Sequence, residues 1–378
     1  MNINMWCNKN KKSRNIISLD KFNNANNVIK DKVKETPLFK LNQISKEINK
    51  DIYLKDESKQ FTNSFKIRGV YYVINKEIQN IKKEGSYLIT QSTGNHGIAF
   101  LFSLYQLMIN NKDNKIITSI IPIIFTSKDI QNVKLNLMKF YLDKIRKFKN
   151  DKSYGEIRSS YESYETALNS RINFVKENNA IYIAHGSEDT IIGHGTMAIE
   201  IKEQLDKLGY SSKSNITFLA ACGAGGPLGI GICLKKLYAN ANFVIVQTDD
   251  QDALIKSLKE DKLLKNNGID KDLPFNFADG IGVDTPEIEA FELCKNYADF
   301  GICVSHKECF FEAKNLNNDI KKSNNEIVFS GGTSVAVYVA LKKLKDEEFI
   351  KNTDIIVMLS CEGNIDDIVK KYIRNLSD

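Results

Sequence analysis

Short apolar runs without polar interruption alternate along the chain with longer stretches of helical character. The runs lie at residues 52–54, 87–90, 120–126, 181–184, 216–221, 243–247, 301–304 and 355–360. An uninterrupted apolar run is typical of a strand buried on both faces, and alternation of strands with helices indicates a parallel sheet covered by helices. The sequence therefore predicts an α/β fold.

Two further stretches carry their own signals. Residues 127–180 are rich in Lys, Asn, Ser and Tyr and show no clear period, so we expect helices and a surface elaboration there. Thr285, Pro286 and Glu287 predict an N-cap, a first-turn proline and an acid favoured by the helix dipole. We expect them to open a helix over residues 288–297.

Length and charge narrow the class of protein. A chain of 378 residues exceeds what one hydrophobic core usually supports, which favours a two-lobed molecule. The 53 basic and 47 acidic residues give a net charge of +6, and both signs are interspersed. No basic face with interleaved aromatic residues stands out, so nucleic acid is not an expected partner.

The cysteines and histidines show no metal or disulfide framework. Seven cysteines include no Cys-x-x-Cys pair, which indicates a reducing, cytoplasmic compartment. The four histidines form no recognised ligand pair, so we expect no metal. His185 and His194 are interpreted as two ordinary, satisfied polar residues.

The apolar runs are also too short for a membrane protein. Residues 116–125 form the longest, and Thr118, Ser119 and Pro122 interrupt it. The first nineteen residues are basic but lack a continuous apolar segment, so we expect no secretory signal and interpret them as a disordered tail.

Lys66 is the first candidate for chemistry. It lies in Ser-Phe-Lys, after a short predicted strand and a polar turn, where a helix would begin. The helix dipole and partial burial both disfavour a charged ammonium at such a position, and the neutral amine is the form that attacks a carbonyl. The site would suit a Schiff base.

Two loops look like anion sites. Residues 92–97, Ser-Thr-Gly-Asn-His-Gly, follow a predicted strand and precede an apolar helix, so their N–H groups can form a nest for a carboxylate; we call them the Asn loop. Residues 223–228, Gly-Ala-Gly-Gly-Pro-Leu, also join a strand to a helix but match neither a P-loop nor a dinucleotide fingerprint. This glycine loop suits a single small phosphate.

Ser360 ends the last predicted strand with a hydroxyl. A neutral hydroxyl facing a pyridine nitrogen would leave that nitrogen largely unprotonated.

In order and spacing, these four elements resemble the fold type II pyridoxal-phosphate enzymes, specifically the serine/threonine dehydratase group of the tryptophan synthase β superfamily. The likeness covers nearly the whole chain and begins with Thr-Pro-Leu at 36–38 and Tyr-Leu-Lys-Asp-Glu at 53–57. It implies a two-lobed α/β fold with parallel-rich twisted sheets flanked by helices. Residues 1–76 and 188–378 would form a large cofactor-binding domain, and residues 77–187 a small mobile domain carrying the Asn loop.

The resemblance also implies roles for individual residues. Lys66 would bind pyridoxal 5'-phosphate as a Schiff base and shuttle the α-proton, Phe65 would stack on the ring, and Ser360 would face its nitrogen. Asn95 would bond the ring 3-hydroxyl. The phosphate would contact Gly223, Ala224, Gly225, Gly226 and Leu228. The substrate carboxylate would contact Ser92, Thr93, Asn95 and His96.

Three departures from the family pattern bear on the reaction. Thr93 stands where racemases of the group have a serine that acts as the base on the opposite face, which argues against racemisation. Gln247 replaces a glutamate that helps to hold a divalent cation in several relatives. The acid usual before the Ser-Gly at 330–331 is absent.

The subfamily stays open. Gly-Thr-Met-Ala at 195–198 and Ser-Cys-Glu-Gly-Asn at 360–364 are similar to diaminopropionate ammonia-lyases, and Cys-Gly-Ala-Gly-Gly at 222–226 is similar to D-serine dehydratases. The chain ends soon after the Ser360 motif, so we expect no C-terminal regulatory domain and a catabolic role.

The leading hypothesis is an ammonia-lyase that eliminates the β-group of a serine- or threonine-type amino acid and releases a 2-oxo acid and ammonia. The alternatives are a diaminopropionate-type ammonia-lyase, a β-replacement enzyme like the cysteine synthases, and a non-catalytic binding protein with the same fold. By analogy the protein would be a homodimer that acts on a small amino acid.

Overall fold

A computed structural model describes residues 5–8, 17–223, 225–266, 278–324 and 330–375. Its strands are β1 Met5–Cys7, β2 Leu38–Lys40, β3 Asp51–Asp56, β4 Tyr87–Gln91, β5 Ile121–Ser127, β6 Glu156–Tyr161, β7 Ile181–Tyr182, β8 Asn215–Ala221, β9 Asn240–Thr248, β10 Phe300–Val304 and β11 Ile355–Ser360.

The helices surround these strands. They are α1 Leu19–Ile29, α2 Asn42–Ile48, α3 Lys66–Glu77, α4 Asn95–Asn110, α5 Lys115–Thr118, α6 Asn132–Lys149, α7 Tyr164–Asn178, α8 Glu188–Gly195, α9 Met197–Lys207, α10 Leu228–Leu237, α11 Ala253–Glu260, α12 Ile288–Tyr297, α13 His306–Asn324, α14 Gly332–Leu344, α15 Glu348–Lys351 and α16 Asp367–Asn375. Short 3₁₀ turns lie at Glu57–Lys59, Ile78–Asn80 and Asp279–Ile281.

Seven strands form one sheet in the order β1-β10-β9-β8-β11-β3-β2. The five inner strands run parallel, and the two edge strands β1 and β2 run antiparallel to their neighbours. Each of the eight predicted strands is present, so the prediction of an α/β fold with parallel-rich sheets is confirmed.

The other four strands form a second, wholly parallel sheet in the order β6-β5-β4-β7. Its edge strand β6 and the helices α6 and α7 come from residues 127–180, which were expected to be helices and a surface elaboration. The helices are confirmed. The description as an elaboration is wrong, because β6 pairs directly with β5 and completes the sheet.

Apolar side chains point to both faces of the large sheet. Along β8, Ile216, Phe218 and Ala220 enter one core and Leu219 and Ala221 enter another. Helices on each side bury both cores, which is why the strands show apolar runs without alternation. The small sheet likewise has an apolar cluster on each face.

Two local expectations are corrected. The first nineteen residues are not wholly a disordered tail, since residues 5–7 form β1 on the edge of β10 and Leu19 opens α1; residues 9–16 lie outside the described part. The helix over 288–297 is present, but its N-cap is Glu287 rather than Thr285. Within the residues that the structure describes, no helix has both the length and the apolar character needed to cross a bilayer.

Candidate active site

Lys66 lies at the start of α3, beyond the carboxyl end of β3. Phe65 is the N-cap of this helix. The Phe65 N–H group donates a 3.3 Å hydrogen bond to the carbonyl of Cys361, and Ser64 forms an antiparallel bridge with Glu362. The lysine is therefore fixed against the segment that follows β11, the neighbour of β3 in the sheet.

The Lys66 amine is held in a neutral-favouring environment. The side chain keeps some accessible surface although protein atoms crowd it, as expected for a group on the wall of a cleft. Burial lowers the Lys66 pKa, and the groups that oppose this shift are Cys361, Cys222, Glu362 and Glu287. Within the described residues the amine has no hydrogen bond or ion pair, and its Nζ lies 5.0 Å from the centroid of the Phe65 ring. Such an amine is a competent nucleophile and base.

The glycine loop borders this amine. A Cβ built on Gly226 would lie 3.3 Å from Lys66 Nζ and 2.8 Å from Phe65 Cζ, and one built on Gly223 would clash with the carbonyl of Ile281. The loop can therefore carry no side chains at these positions. Leu228, which is buried, begins α10 directly behind it.

The loop also presents unused donors. Gly223, Gly225 and Gly226 are buried, yet their N–H groups donate no hydrogen bond to any described residue. Buried N–H groups normally have a partner, so three of them beside a helix N-terminus fit an anion such as a phosphate. Ala224, the fourth residue predicted for this role, lies outside the described residues.

Ser360 ends β11 in a cluster of hydroxyl groups. Its Oγ is fully buried and lies 3.1 Å from Ser330 Oγ and 3.4 Å from Ser334 Oγ. The cluster is neutral, and it matches the uncharged partner that the sequence predicts for a pyridine nitrogen. The segment before Ser330, where the family usually has an acid and this chain does not, lies outside the described part of the chain.

The Asn loop connects β4 to α4. Ser92 Oγ accepts hydrogen bonds from the N–H groups of Gly94 and Gly97, each at 3.1 Å. The N–H groups of Thr93, Asn95 and His96 donate to no described residue. The loop thus has the free donors of a carboxylate nest, and the exposed Thr93 side chain lies on its rim.

The Asn95 side chain joins the Asn loop to the segment after β11. Its amide nitrogen donates to Glu362, and its oxygen accepts a 2.7 Å hydrogen bond from Asn364. Glu362 also lies 3.6 Å from the buried amine of Lys134, on α6. The expected bond of Asn95 to a ring 3-hydroxyl stays a prediction.

Three histidines lie close enough to Lys66 to feel its charge, a grouping that the sequence did not indicate. His96 stacks on His185 with ring centroids 3.8 Å apart, and His185 Nε2 lies 2.6 Å from the Gln91 carbonyl. His194 accepts a hydrogen bond from the backbone of α3. His185 and His194 are thus each satisfied at one nitrogen, as expected, but both belong to the site.

All three rings are held neutral. Burial lowers the pKa of His96 and His194 well below the usual range and lowers that of His185 to about 4. The positive charge of Lys66 shifts each in the same direction. Neutral rings can accept or donate one hydrogen bond each without adding charge beside the lysine.

The buried side chain of Gln247 forms a hydrogen bond inside the fold. Its side-chain carbonyl accepts a 2.8 Å hydrogen bond from the Ile255 N–H group, at the start of α11. Across the described residues, no group of three or more His, Cys, Asp or Glu side chains is arranged to hold a metal ion.

Sequence reasoning found Phe65, Lys66, both loops and Ser360, and the structure brings them together. It missed Lys134, His185, His194 and Glu287 as members of the site. These four come from helices and turns; Glu287 was named only for its place at the start of α12, and the other three have no local motif. Only the position of His185 and His194 shortly after a predicted strand offered a signal.

Comparison with known proteins places this site in a family. The chain matches the family model described as pyridoxal-phosphate dependent enzyme over residues 29–362. It is 26% identical over 345 residues to a biosynthetic L-threonine dehydratase of Halalkalibacterium halodurans, covering 90% of this chain and 72% of the relative. It is 26% identical over 357 residues to an L-threonine ammonia-lyase of Thermotoga maritima, covering 93% and 76%.

Comparison with solved structures shows the same fold in a related protein. Diaminopropionate ammonia lyase from Escherichia coli superposes with a TM-score of 0.77 at 18% identity, covering 99% of this chain and 96% of that one. The buried lysine with its lowered pKa, the unused N–H groups and the hydroxyl cluster suit the aldehyde, phosphate and ring nitrogen of the cofactor. The chain therefore belongs to the family of pyridoxal-phosphate dependent enzymes.

Proposed function

We propose that the protein is an ammonia-lyase that performs α,β-elimination on a serine- or threonine-type amino acid and releases a 2-oxo acid and ammonia. The observation that carries this proposal is the Lys66 amine, whose pKa burial lowers and which has no hydrogen bond or ion pair within the described residues. A neutral amine beside a phosphate-type loop can hold the cofactor and then take a proton from the substrate.

When bound, pyridoxal phosphate supplies an electron sink for the bonding electrons of the α-carbon. Lys66 carries the α-proton on Nζ, and Phe65 lies beside the same amine to pack on the ring. The glycine loop would hold the phosphate through the N–H groups of Gly223, Gly225 and Gly226, and the resemblance assigns Ala224 and Leu228 to the same phosphate contact. Ser360 would face the ring nitrogen with a hydroxyl instead of a charge.

The Asn loop orients the substrate. The unused N–H groups of Thr93, Asn95 and His96 bind its carboxylate, and Ser92 holds the loop in shape through two hydrogen bonds. Thr93, exposed on the rim, is the candidate acid or base on the face opposite Lys66. Asn95 completes this set beside the cofactor.

The proposed domain motion, oligomeric state and location of the protein are those expected from the family. Residues 77–187 would move as a small domain against residues 1–76 and 188–378, closing the Asn loop on the substrate and excluding water. The small sheet lies inside that range. A homodimer in the cytoplasm is the expected state of the protein.

The relatives named above support the elimination reaction. The two relatives named above both carry L-threonine in their names, and this chain covers 72% of one and 76% of the other. The hydroxyl partner at Ser360 is compatible with elimination, which needs less electron withdrawal than reactions that depend on a protonated ring nitrogen.

The test is oxo-acid release by the purified holoenzyme. D- and L-serine, threonine, 3-hydroxyaspartate and 2,3-diaminopropionate would be screened without any added nucleophile. Lys66→Ala should abolish both turnover and the visible absorbance of the bound cofactor, whereas Lys83→Ala, at an exposed lysine, should change neither. A Lys66→Ala variant that keeps the absorbance and turnover would refute the assignment.

The same screen separates the alternatives. Product that forms only when a thiol or sulfide is added would identify a β-replacement enzyme. Purified protein that takes up no cofactor despite supplementation would point to a binding protein with this fold.

A further inference from the structure

A chain of polar side chains runs through the Asn95 amide and leads from a backbone carbonyl to a buried cation. The Asn364 amide nitrogen donates to the Thr62 carbonyl at 2.8 Å and to the Asn95 oxygen at 2.7 Å. The Asn95 nitrogen donates to Glu362 Oε2, and Lys134 Nζ lies 3.6 Å from the same oxygen. The chain therefore ties the Asn loop to the segment that follows β11.

The direction of each hydrogen bond in this chain is fixed by its two ends. The Thr62 carbonyl can only accept, and a carboxylate paired with a lysine can only accept from an amide. The Asn95 side chain must therefore turn its oxygen to Asn364 and its nitrogen to Glu362. A reversed amide would place its oxygen against the carboxylate and its N–H groups against those of Asn364.

Glu362 and Lys134 are packed into the wall of the site. Their side chains are only 7% and 3% exposed. A Cβ built on Gly94, in the Asn loop, would lie 3.3 Å from Lys134 Cδ. One built on Gly280 would lie 3.1 Å from Glu362 Oε1. Glu362 is also close enough to Lys66 for its charge to raise the Lys66 pKa. The ion pair is thus held in one geometry beside the proposed nucleophile.

We propose that Glu362 and Lys134 are positioning residues that fix the Asn95 amide with its second N–H group toward the ring oxygen of the bound cofactor. An amide nitrogen carries two N–H groups, and Glu362 takes one of them. A donor at a phenolic oxygen stabilises its anion, and the ring hydroxyl group of pyridoxal phosphate is of this kind. The inference rests on the proposed placement of the ring against Asn95 and on no particular substrate.

Lys134 explains why a carboxylate can serve this purpose. An uncompensated anion next to the ring would oppose the anionic form of the ring oxygen. The pair of Glu362 and Lys134 has no net charge, so it can orient Asn95 without this penalty.

The test replaces both charges at once. Glu362→Met/Lys134→Met leaves the local net charge unchanged, and exchange of a buried ion pair for apolar side chains of similar volume is often neutral for stability. The absorbance of the holoenzyme without substrate is the readout, because the anionic and neutral forms of the ring oxygen absorb at different wavelengths. The double variant should lose the longer-wavelength band in favour of the neutral form, and its apoprotein should bind pyridoxal phosphate about threefold to tenfold more weakly.

The matched control is Glu312→Met/Lys342→Met, which removes a partly exposed ion pair between α13 and α14. It should change neither the spectrum nor the affinity. An unchanged spectrum in Glu362→Met/Lys134→Met overturns the proposal.

Two single variants isolate the hydrogen bond and also serve if the double variant does not fold. Glu362→Met and Glu362→Gln remove the same charge, but only the glutamine keeps an acceptor for the Asn95 nitrogen. Glu362→Gln should therefore retain more of the longer-wavelength band. Equal spectra of the two variants would contradict the proposed role.

Removal of Asn95 shows whether the ion pair acts through it. Asn95→Ala should reproduce the spectral change, and Glu362→Met/Lys134→Met in that background should add nothing further. Additive effects, or no effect of Asn95→Ala, would refute the inference. Because these spectra need no turnover, they decide the role of Glu362 and Lys134 even where the substrate screen finds no elimination.

Discussion

The Gly69 N–H group donates a buried hydrogen bond of 3.1 Å to Nδ1 of His194, linking α8 to the helix that begins with Lys66. This bond sets the tautomer, because a ring nitrogen that accepts a hydrogen bond carries no proton. The ring also lies edge-on to Phe65, with centroids 4.8 Å apart. His194 therefore contacts both the N-cap residue Phe65 and the first turn of α3.

His194→Leu should weaken catalysis and stability together. It leaves the buried Gly69 N–H group without an acceptor, at a cost of about 1–3 kcal/mol in the free energy of unfolding. His194→Gln keeps an acceptor and should restore part of both losses. Chemical denaturation and kcat of the two variants check this; equal behaviour of the Leu and Gln variants would show that the hydrogen bond is not what His194 contributes.

Gly226→Ala should weaken cofactor binding. The added methyl would lie 2.8 Å from Phe65 Cζ and 3.3 Å from Lys66 Nζ, so the loop or the ring must shift. Overpacking of this kind costs about 1–3 kcal/mol, which corresponds to a loss of about fivefold to a little over a hundredfold in affinity. Titration of the apoprotein with pyridoxal phosphate measures it. Gly301→Ala, a core methyl in β10 remote from the site, should leave the affinity unchanged.

Arg68 should be far more important for stability than an ordinary surface charge. It lies two residues after Lys66, makes two hydrogen bonds to Glu57 at 2.7 and 2.9 Å, and pairs with Glu200 at 2.9 Å. Arg68→Met leaves the fully buried Glu57 uncompensated, and we expect a loss of about 3–5 kcal/mol in the free energy of unfolding.

An exposed pair serves as the control for Arg68. Asp206→Asn breaks the contact between Lys202 and Asp206 on α9, the helix that also carries Glu200. Such pairs contribute about 0.3–0.5 kcal/mol. Urea denaturation of both variants gives the comparison. Similar losses in the two would show that Lys55, which also pairs with Glu200, compensates for the missing guanidinium group.

The inner strands were predictable because burial on both faces leaves a continuous apolar run, as along β8 and β11. The edge strands β1, β2 and β6 were missed. The first two have only three residues each, and β6 is polar and half-exposed. Pairing with a neighbouring strand stabilises these strands, and for β1 that neighbour, β10, is remote in sequence.

The candidate site likewise contains residues that a local sequence pattern predicts and residues that no local pattern predicts. Lys66, the Asn loop and the glycine loop have local patterns, since a turn between strand and helix needs particular residues. The contact between His194 and Gly69, and that between Glu287 and Gly186, join segments about a hundred residues apart. No local periodicity reports such a contact.

The antiparallel strand β1 has a consequence for handling the protein. It covers the outer edge of β10, where Met5 and Cys7 pair with Ile302 and Phe300. Expression from a start downstream of residue 8 would leave that parallel edge with free N–H and C=O groups, a template for strand addition between molecules. A shortened protein of this kind should form aggregates through β10. Its catalytic groups, which follow or end β3, β8 and β11, should stay in place.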